Sequence, residues 1–93
     1  MRRILHGDVS NTARALYGTP PEGRAALLRH IFRQAEAADI RLRSTGTPHP
    51  RWGNGTLMAA ARRHTLPPEP GFDDRDYCRC FLMVLQALLD RKT

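Results

Sequence analysis

The residues with chemistry to offer are few. Cys78 and Cys80 are separated by one residue, a spacing seen in metal sites. They fall in a stretch with helical spacing, where residues two apart point about 200° away from each other. Two such thiolates cannot share one zinc, and no second Cys pair exists to complete four ligands. They are expected to be small apolar fillers on opposite faces of a helix. His6, His30, His49 and His64 show no i,i+4 and no His-x-Glu pairing, so no metal ligand set and no cofactor is expected. The hydroxyl nucleophiles Ser10 and Ser44 lie outside any G-x-S-x-G turn. Asp8, Glu22, Asp73, Asp74 and Asp76 sit at expected helix starts, where capping accounts for them. No carboxylate lies inside an apolar run that would raise its pKa toward that of a general acid. "GNG" at 53–55 lacks the Gly or Lys-Ser/Thr of a phosphate-cradling loop. The chain is therefore expected to have no catalytic residue and not to be an enzyme.

Arginines are the remaining source of chemistry. The net charge is +6 and the pI about 10.6. Nearly every basic residue is Arg, in a chain also rich in Ala, Gly and Pro, which is how a GC-rich genome writes positions where Lys would serve. The charge is nonetheless uneven. Residues 24–63 hold eight Arg against Glu36 and Asp39, so the middle alone equals the whole +6. Arg41, Arg43, Arg51, Arg62 and Arg63 flank "HPRWGNG" (49–55), the loop with the only Trp. If they share a face they make an anionic-ligand surface suited to nucleic acid. The other reading is a solvated Arg face. A helix-turn-helix is not expected, because the connection at this loop is about ten residues against three or four in that motif. Trp52 itself is expected to fold inward as a plug closing a small core, with a partner-facing Trp as the alternative. Gly53 and Gly55 are then needed for positive φ angles.

Four helical segments would have to position these groups, and no strand is predicted. "DVSNTARALYG" predicts a short helix over about 8–17, with Asp8 as N-cap and Gly18 as a left-handed stop. Thr19-Pro20-Pro21-Glu22 reads as a capping box opening a helix over about 20–44. Leu27, Leu28, Ile31, Phe32, Ala35, Ala38 and Leu42 give that helix one apolar face, and Asp39 pairs with Arg43 one turn on. Gly46 and Pro48 end it. Asn54 or Thr56 caps a short helix over about 56–64. "LPPEPG" (66–71) is a stiff connector. The last helix spans about 74–91 from Asp73 or Asp74. Tyr77, Cys78, Phe81, Leu82, Leu85, Leu88 and Leu89 form its core face, and the back is apolar too, at Cys80, Met83, Val84 and Ala87. A helix apolar nearly all round is central in a bundle or buried on both sides. With only short partner helices available, Cys80, Met83, Val84 and Ala87 are expected to form an oligomer face.

The length of 93 residues gives one all-α domain over 1–93, a small bundle able to bury a core without metal or disulfide. No apolar run approaches the roughly 20 residues of a membrane helix. "MRRILHGDVS" has too short an apolar stretch for a secretory signal. Two cysteines suggest reduced thiols in the cytoplasm.

The whole chain, chiefly "HGDV", "HPRWGNGTLMAAA" and "LPPEPGFDDRDYCRCFLMVLQALL", resembles a family of small helical alphaproteobacterial proteins with no established activity. The resemblance therefore transfers no functional residue. A looser likeness, in size, helical build and basic charge only, is to small terminase subunits of phage-like particles. The expected function is a non-enzymatic binding or assembly protein that self-associates through its last helix, as a homo-oligomer or with a protein partner. The alternative is a nucleic-acid-associated protein, such as a DNA-packaging or regulatory accessory protein, using the Arg-rich middle.

Overall fold

The first helix is capped three residues earlier than expected, and the Asp8 carboxylate is the reason. Asp8 stands at the third helical position, where its Oδ2 accepts from the Leu5 N–H at 2.8 Å, the returning half of a capping box. Helix α1 therefore runs His6–Tyr17 with Leu5 as N-cap. The computed structural model describes residues 1–91. It continues with α2 at Pro21–Thr45, α3 at Leu57–Ala61 and α4 at Arg75–Asp90. The described residues form no strand; one isolated β-bridge joins His49 and Gly53.

The centre of the bundle is α1, not α4. Helix α1 packs against all three others, α4 lies chiefly on α1, and α3 wedges between α1 and α2. Every residue from Asp8 to Ala13 is buried, as are Ala15 and Leu16. Several of these are polar, and Ser10, Asn11 and Thr12 turn their donors back on the helix. Thr12 Oγ1 donates to the Asp8 carbonyl at 2.8 Å, and Asn11 Nδ2 and Ser10 Oγ donate to the Gly7 carbonyl at 2.7 and 3.3 Å. Such i−3 and i−4 bonds let Ser, Thr and Asn enter a core without stranding a donor. The second oxygen of Asp8 accepts from the Met58 N–H at 2.8 Å and ties α1 to the first turn of α3.

Helix α2 follows the predicted apolar spacing, burying Leu28, Ile31, Ala35 and Ala38. Its start differs from expectation. Thr19 does not cap it: the hydroxyl donates back to the Ala15 carbonyl of α1 at 2.9 Å, and Pro20 becomes the N-cap with Pro21 in the first turn. Gly18 is not left-handed, at φ −76°. Its small size serves instead the close approach of Pro67, whose Cδ would lie 3.1 Å from an added Cβ. Gly46 does adopt the left-handed stop, at φ 73°.

Side-chain caps open the two remaining helices. Thr56 Oγ1 accepts from Ala59 N at 3.1 Å, and Asp74 Oδ1 from Tyr77 N at 3.1 Å. Helix α3 stops at Ala61, short of the predicted 64, and the chain to His64 continues as turns. Leu16, Ile31, Leu57, Tyr77 and Val84 are the largest fully buried apolar side chains, each contributing about 1.5–3 kcal/mol by its burial. Among the described residues no helix is long and apolar enough to cross a membrane.

Candidate functional site

Three helix ends meet at Arg24, which is 6% exposed. Its Nε donates to the Leu16 and Thr19 carbonyls, both at 2.8 Å. Its two terminal nitrogens take the Asp76 carboxylate as a fork, at 2.8 and 2.9 Å. One guanidinium thus closes the end of α1, stands in the first turns of α2, and holds the first turn of α4. Beside it the Tyr17 hydroxyl donates to Asp74 Oδ2 at 2.6 Å, and the Tyr77 hydroxyl donates to Glu69. The hydrogen bond from Arg24 holds the Asp76 carboxyl below the usual range, and that from Tyr17 does the same for Asp74. Burial, then the Glu69 hydrogen bond, pushes the Tyr77 phenol up. Burial also raises the Cys80 thiol. Each group is held in the charge state it ordinarily has at neutral pH, so this cluster fastens helices and moves no proton near pH 7.

The "HPRWGNG" segment is a closed loop. His49 and Gly53 exchange backbone bonds at 2.8 and 3.1 Å. Inside it, His49 Nδ1 accepts from the Arg51 and Trp52 N–H groups at 3.0 and 3.2 Å. That use of Nδ1 assigns the neutral ring's proton to Nε2. The Trp52 indole stacks on the same imidazole, with centroids 4.3 Å apart and planes 7° from parallel. Gly53 and Gly55 have φ of 82° and 89°. A Cβ at Gly53 would sit 2.8 Å from Ala59 Cβ, and one at Gly55 2.7 Å from Asp39 Cα. The loop is therefore pressed onto α3 and α2 with no room for larger residues. The expected core plug is not formed. Trp52 is half-buried and outside the core cluster, because α3 itself fills that space with Leu57, Ala60 and Ala61 while His49 covers one indole face.

All five predicted basic residues, Arg41, Arg43, Arg51, Arg62 and Arg63, are exposed. The fold brings together four of them. Arg62 and Arg63 come within four residues of Ala59, which abuts the loop at Gly53, and Arg63 also neighbours His64. Arg43 pairs with Asp39 at 3.5 Å, beside Gly55. Arg41 lies two residues from Asp39, about 200° around the helix, and is turned away. Two further cations join from outside the Arg-rich middle. The Arg2 N–H donates to the Gly55 carbonyl at 3.0 Å, laying exposed Arg2 and Arg3 beside the loop. The two acids of the region face inward bonds: the Met1 amino group lies 2.7 Å from Glu36 and 3.1 Å from Asp39. No spacing in the sequence announces that N-terminal contact.

On α4 the expected oligomer face turns inward, and the expected core face is split: Tyr77, Phe81 and Leu88 pack inward while Leu82, Leu85 and Leu89 do not. Cys80 and Val84, assigned to an oligomer face, are fully buried, and Met83 and Ala87 are half-buried against the core. Their small size explains it: Cys80 and Val84 share one core cluster with Val9, Ala13 and Leu16 of α1 and let the two helices approach closely. Three of its leucines are left outside, while Leu88 packs against the core. Leu82 is 62% exposed, Leu85 40% and Leu89 79%. This ridge has a groove on each side. One of about 320 Å³ lies between it and the N-terminal arm, lined by Ile4, Leu5, His6, Val9, Phe81 and Leu88 with the ridge's own Leu85 as one wall. The other, about 490 Å³, lies between α4 and α2 and is lined by Leu28, Phe32, Met83 and Ala87, with Arg29 and Arg91 at its edge.

Fold and surface together define, among the described residues, a small all-α bundle with an exposed apolar row on its last helix. Among the described residues no three His, Cys, Asp or Glu side chains are grouped to hold a metal ion. The chain belongs to the family described as a domain of unknown function (DUF7742), whose model matches residues 2–88. The match takes in both the loop and most of the ridge. No curated protein and no solved structure matches the chain.

Proposed function

We propose that this protein is a non-enzymatic binding and assembly protein that pairs with a second copy of itself through α4. The observation carrying this reading is the outward row Leu82, Leu85 and Leu89. With Cys78 it has spacings of four, three and four, the seam that one helix offers to another. The ridge and the groove of Ile4, Leu5, His6, Phe81 and Leu88 lie side by side. A two-fold axis then seats each copy's ridge in the other's groove, which is the self-complementarity an isologous contact requires. A stable interface takes about 800 Å² from each partner, roughly a seventh of the 5853 Å² this chain exposes. The helix also lies in the segment 64–93, which sums to a slight negative charge, so a chain of net +6 repels itself least there. The proposed setting is the cytoplasm, in keeping with free thiols at Cys78 and Cys80.

Sedimentation equilibrium tests the reading. The expected result is a dimer at tens of micromolar that Leu82→Glu converts to monomer while circular dichroism stays unchanged. A wild-type chain that remains at 10.5 kDa over that range overturns it.

A further inference from the structure

We infer that the surface around the His49–Trp52 stack binds single-stranded nucleic acid, with Arg2, Arg51, Arg62 and Arg63 meeting phosphates and the two rings receiving a base. The site shares no residue with the α4 ridge, so it stands or falls apart from self-association. Its first support is pre-organisation. The loop is closed by two backbone bonds, braced from inside by His49 Nδ1, and set against α2 and α3 at Gly55 and Gly53. Trp52 and Arg51 are thus carried on a rigid turn, and no loop has to be ordered on binding.

The second support is the pairing of charge with aromatic surface. His49 and Trp52 already form a pile of parallel rings, and both remain partly exposed. A nucleobase extends such a pile whatever its identity, because every base has a flat face. The cations are supplied from three separate segments, the N-terminal arm, the loop and the end of α3, which only the fold gathers. The acids that could cancel them, Glu36 and Asp39, are taken by the Met1 amino group and Arg43. A duplex fits less well. The neighbouring α3 has five residues, too short to lie in a major groove, and paired bases offer the rings no face.

Trp52 is the sole Trp, so its emission reports directly on the site. The experiment titrates the full chain with a thymidine oligonucleotide of about 12 nucleotides at about 50 and 200 mM salt. Contact with four phosphates predicts quenching and an affinity about 50-fold weaker at the higher salt, since single strands lose roughly 0.7 of a log unit per phosphate per decade. Arg51→Ala combined with Arg62→Ala, both at exposed positions, is expected to weaken binding at least about 10-fold and flatten the salt slope. An abasic chain of equal length and vesicles containing phosphatidylserine serve as the other arms. Quenching of Trp52 by the thymidine chain alone supports the site. No emission change at low salt overturns it, as does an equal response to the abasic chain or to vesicles, or indifference to the double substitution.

Discussion

The two halves of α4 are held in opposite ways. Its first half, Arg75 to Phe81, is fastened by directional bonds. Asp74 caps it, Asp76 is gripped by Arg24, and Tyr77 is buried with its hydroxyl on Glu69. Its second half, Leu82 to Asp90, has apolar contact along Val84, Ala87 and Leu88, and turns Leu82, Leu85 and Leu89 to solvent. Polar partners are satisfied one by one within a single chain, so the first half is complete alone. Apolar surface is satisfied only by area, and three helices of this length lack the area to cover a fourth on all sides. The difference places the proposed self-association at the end whose demands are still open.

The largest effect should come from the closed half. Arg24→Ala leaves Asp76 without its fork and strands the Leu16 and Thr19 carbonyls, which should cost about 3 kcal/mol. Urea unfolding followed by circular dichroism measures it, and the melting midpoint should fall by about 12 °C or more. Arg24→Lys should recover only part, because an ammonium cannot serve a carboxylate fork and two carbonyls at once. A loss as small as that of a surface substitution would erase the contrast between the halves. Tyr77→Phe is the next step down. It keeps the ring in the core and removes only the bond to Glu69, for an expected loss of about 1 kcal/mol by the same assay.

Acid should act on the closed half and, separately, on the turn at His64. The Asp74 and Asp76 carboxyls are held below their ordinary value of 3.8. Their contribution is present above that pH and is lost as pH falls through the lower folded values. Burial, and then His30 and Arg63, lowers the His64 imidazole from its ordinary 6.5. Its contribution is likewise present above 6.5 and lost on further acidification. Stability measured against pH should therefore decline first below about 6.5 and again below about 3.8. His64→Gln should remove the upper step and Asp76→Asn should shrink the lower one. Leu82, Leu85 and Leu89 carry no titratable group, so an acid response of self-association by the still-folded protein would point to His6 in the groove rather than to the ridge.

How much of this was legible depended on whether a residue's partner was near it in sequence. Helix α2 could be read because Leu28, Ile31, Ala35 and Ala38 face one neighbour at regular spacing. Asp74 as a cap, Gly46 as a stop and the glycines of the loop follow from local rules, and all appear as expected. Helix α1 could not be ranked as the centre. Its buried Ser10, Asn11 and Thr12 look like a solvated face until their bonds back to Gly7 and Asp8 are known. Arg24 looked like one more surface arginine, since its partners lie on α1 and α4. On α4 both faces were visibly apolar, but which one meets the core depends on the shape of α1. Small Cys80 and Val84 fit it, whereas counting hydrophobic residues favours the leucines. Trp52 was judged by size, and its stacking on His49, three residues away, was the cue overlooked.

The smallest effect on stability is expected where the proposed effect on assembly is greatest. Leu89 is 79% exposed, so replacing it gives up almost no intramolecular burial. Leu89→Gln keeps the length and helix propensity of the side chain, and its unfolding free energy should stay within about 0.5 kcal/mol of wild type. In a dimer the same position lies at the end of the seam, and a buried amide without a partner costs about 1–3 kcal/mol. Two copies carry the change, so a two-fold interface feels it twice. The dissociation constant should then rise by about 30-fold or more, since each 1.4 kcal/mol is tenfold. Sedimentation of the variant beside its urea curve makes the test sharp. Unchanged stability with lost association places the demand of the second half of α4 outside the chain. Lost stability with unchanged association would mean that the ridge is used within the monomer, and the two halves of the helix would no longer differ in kind.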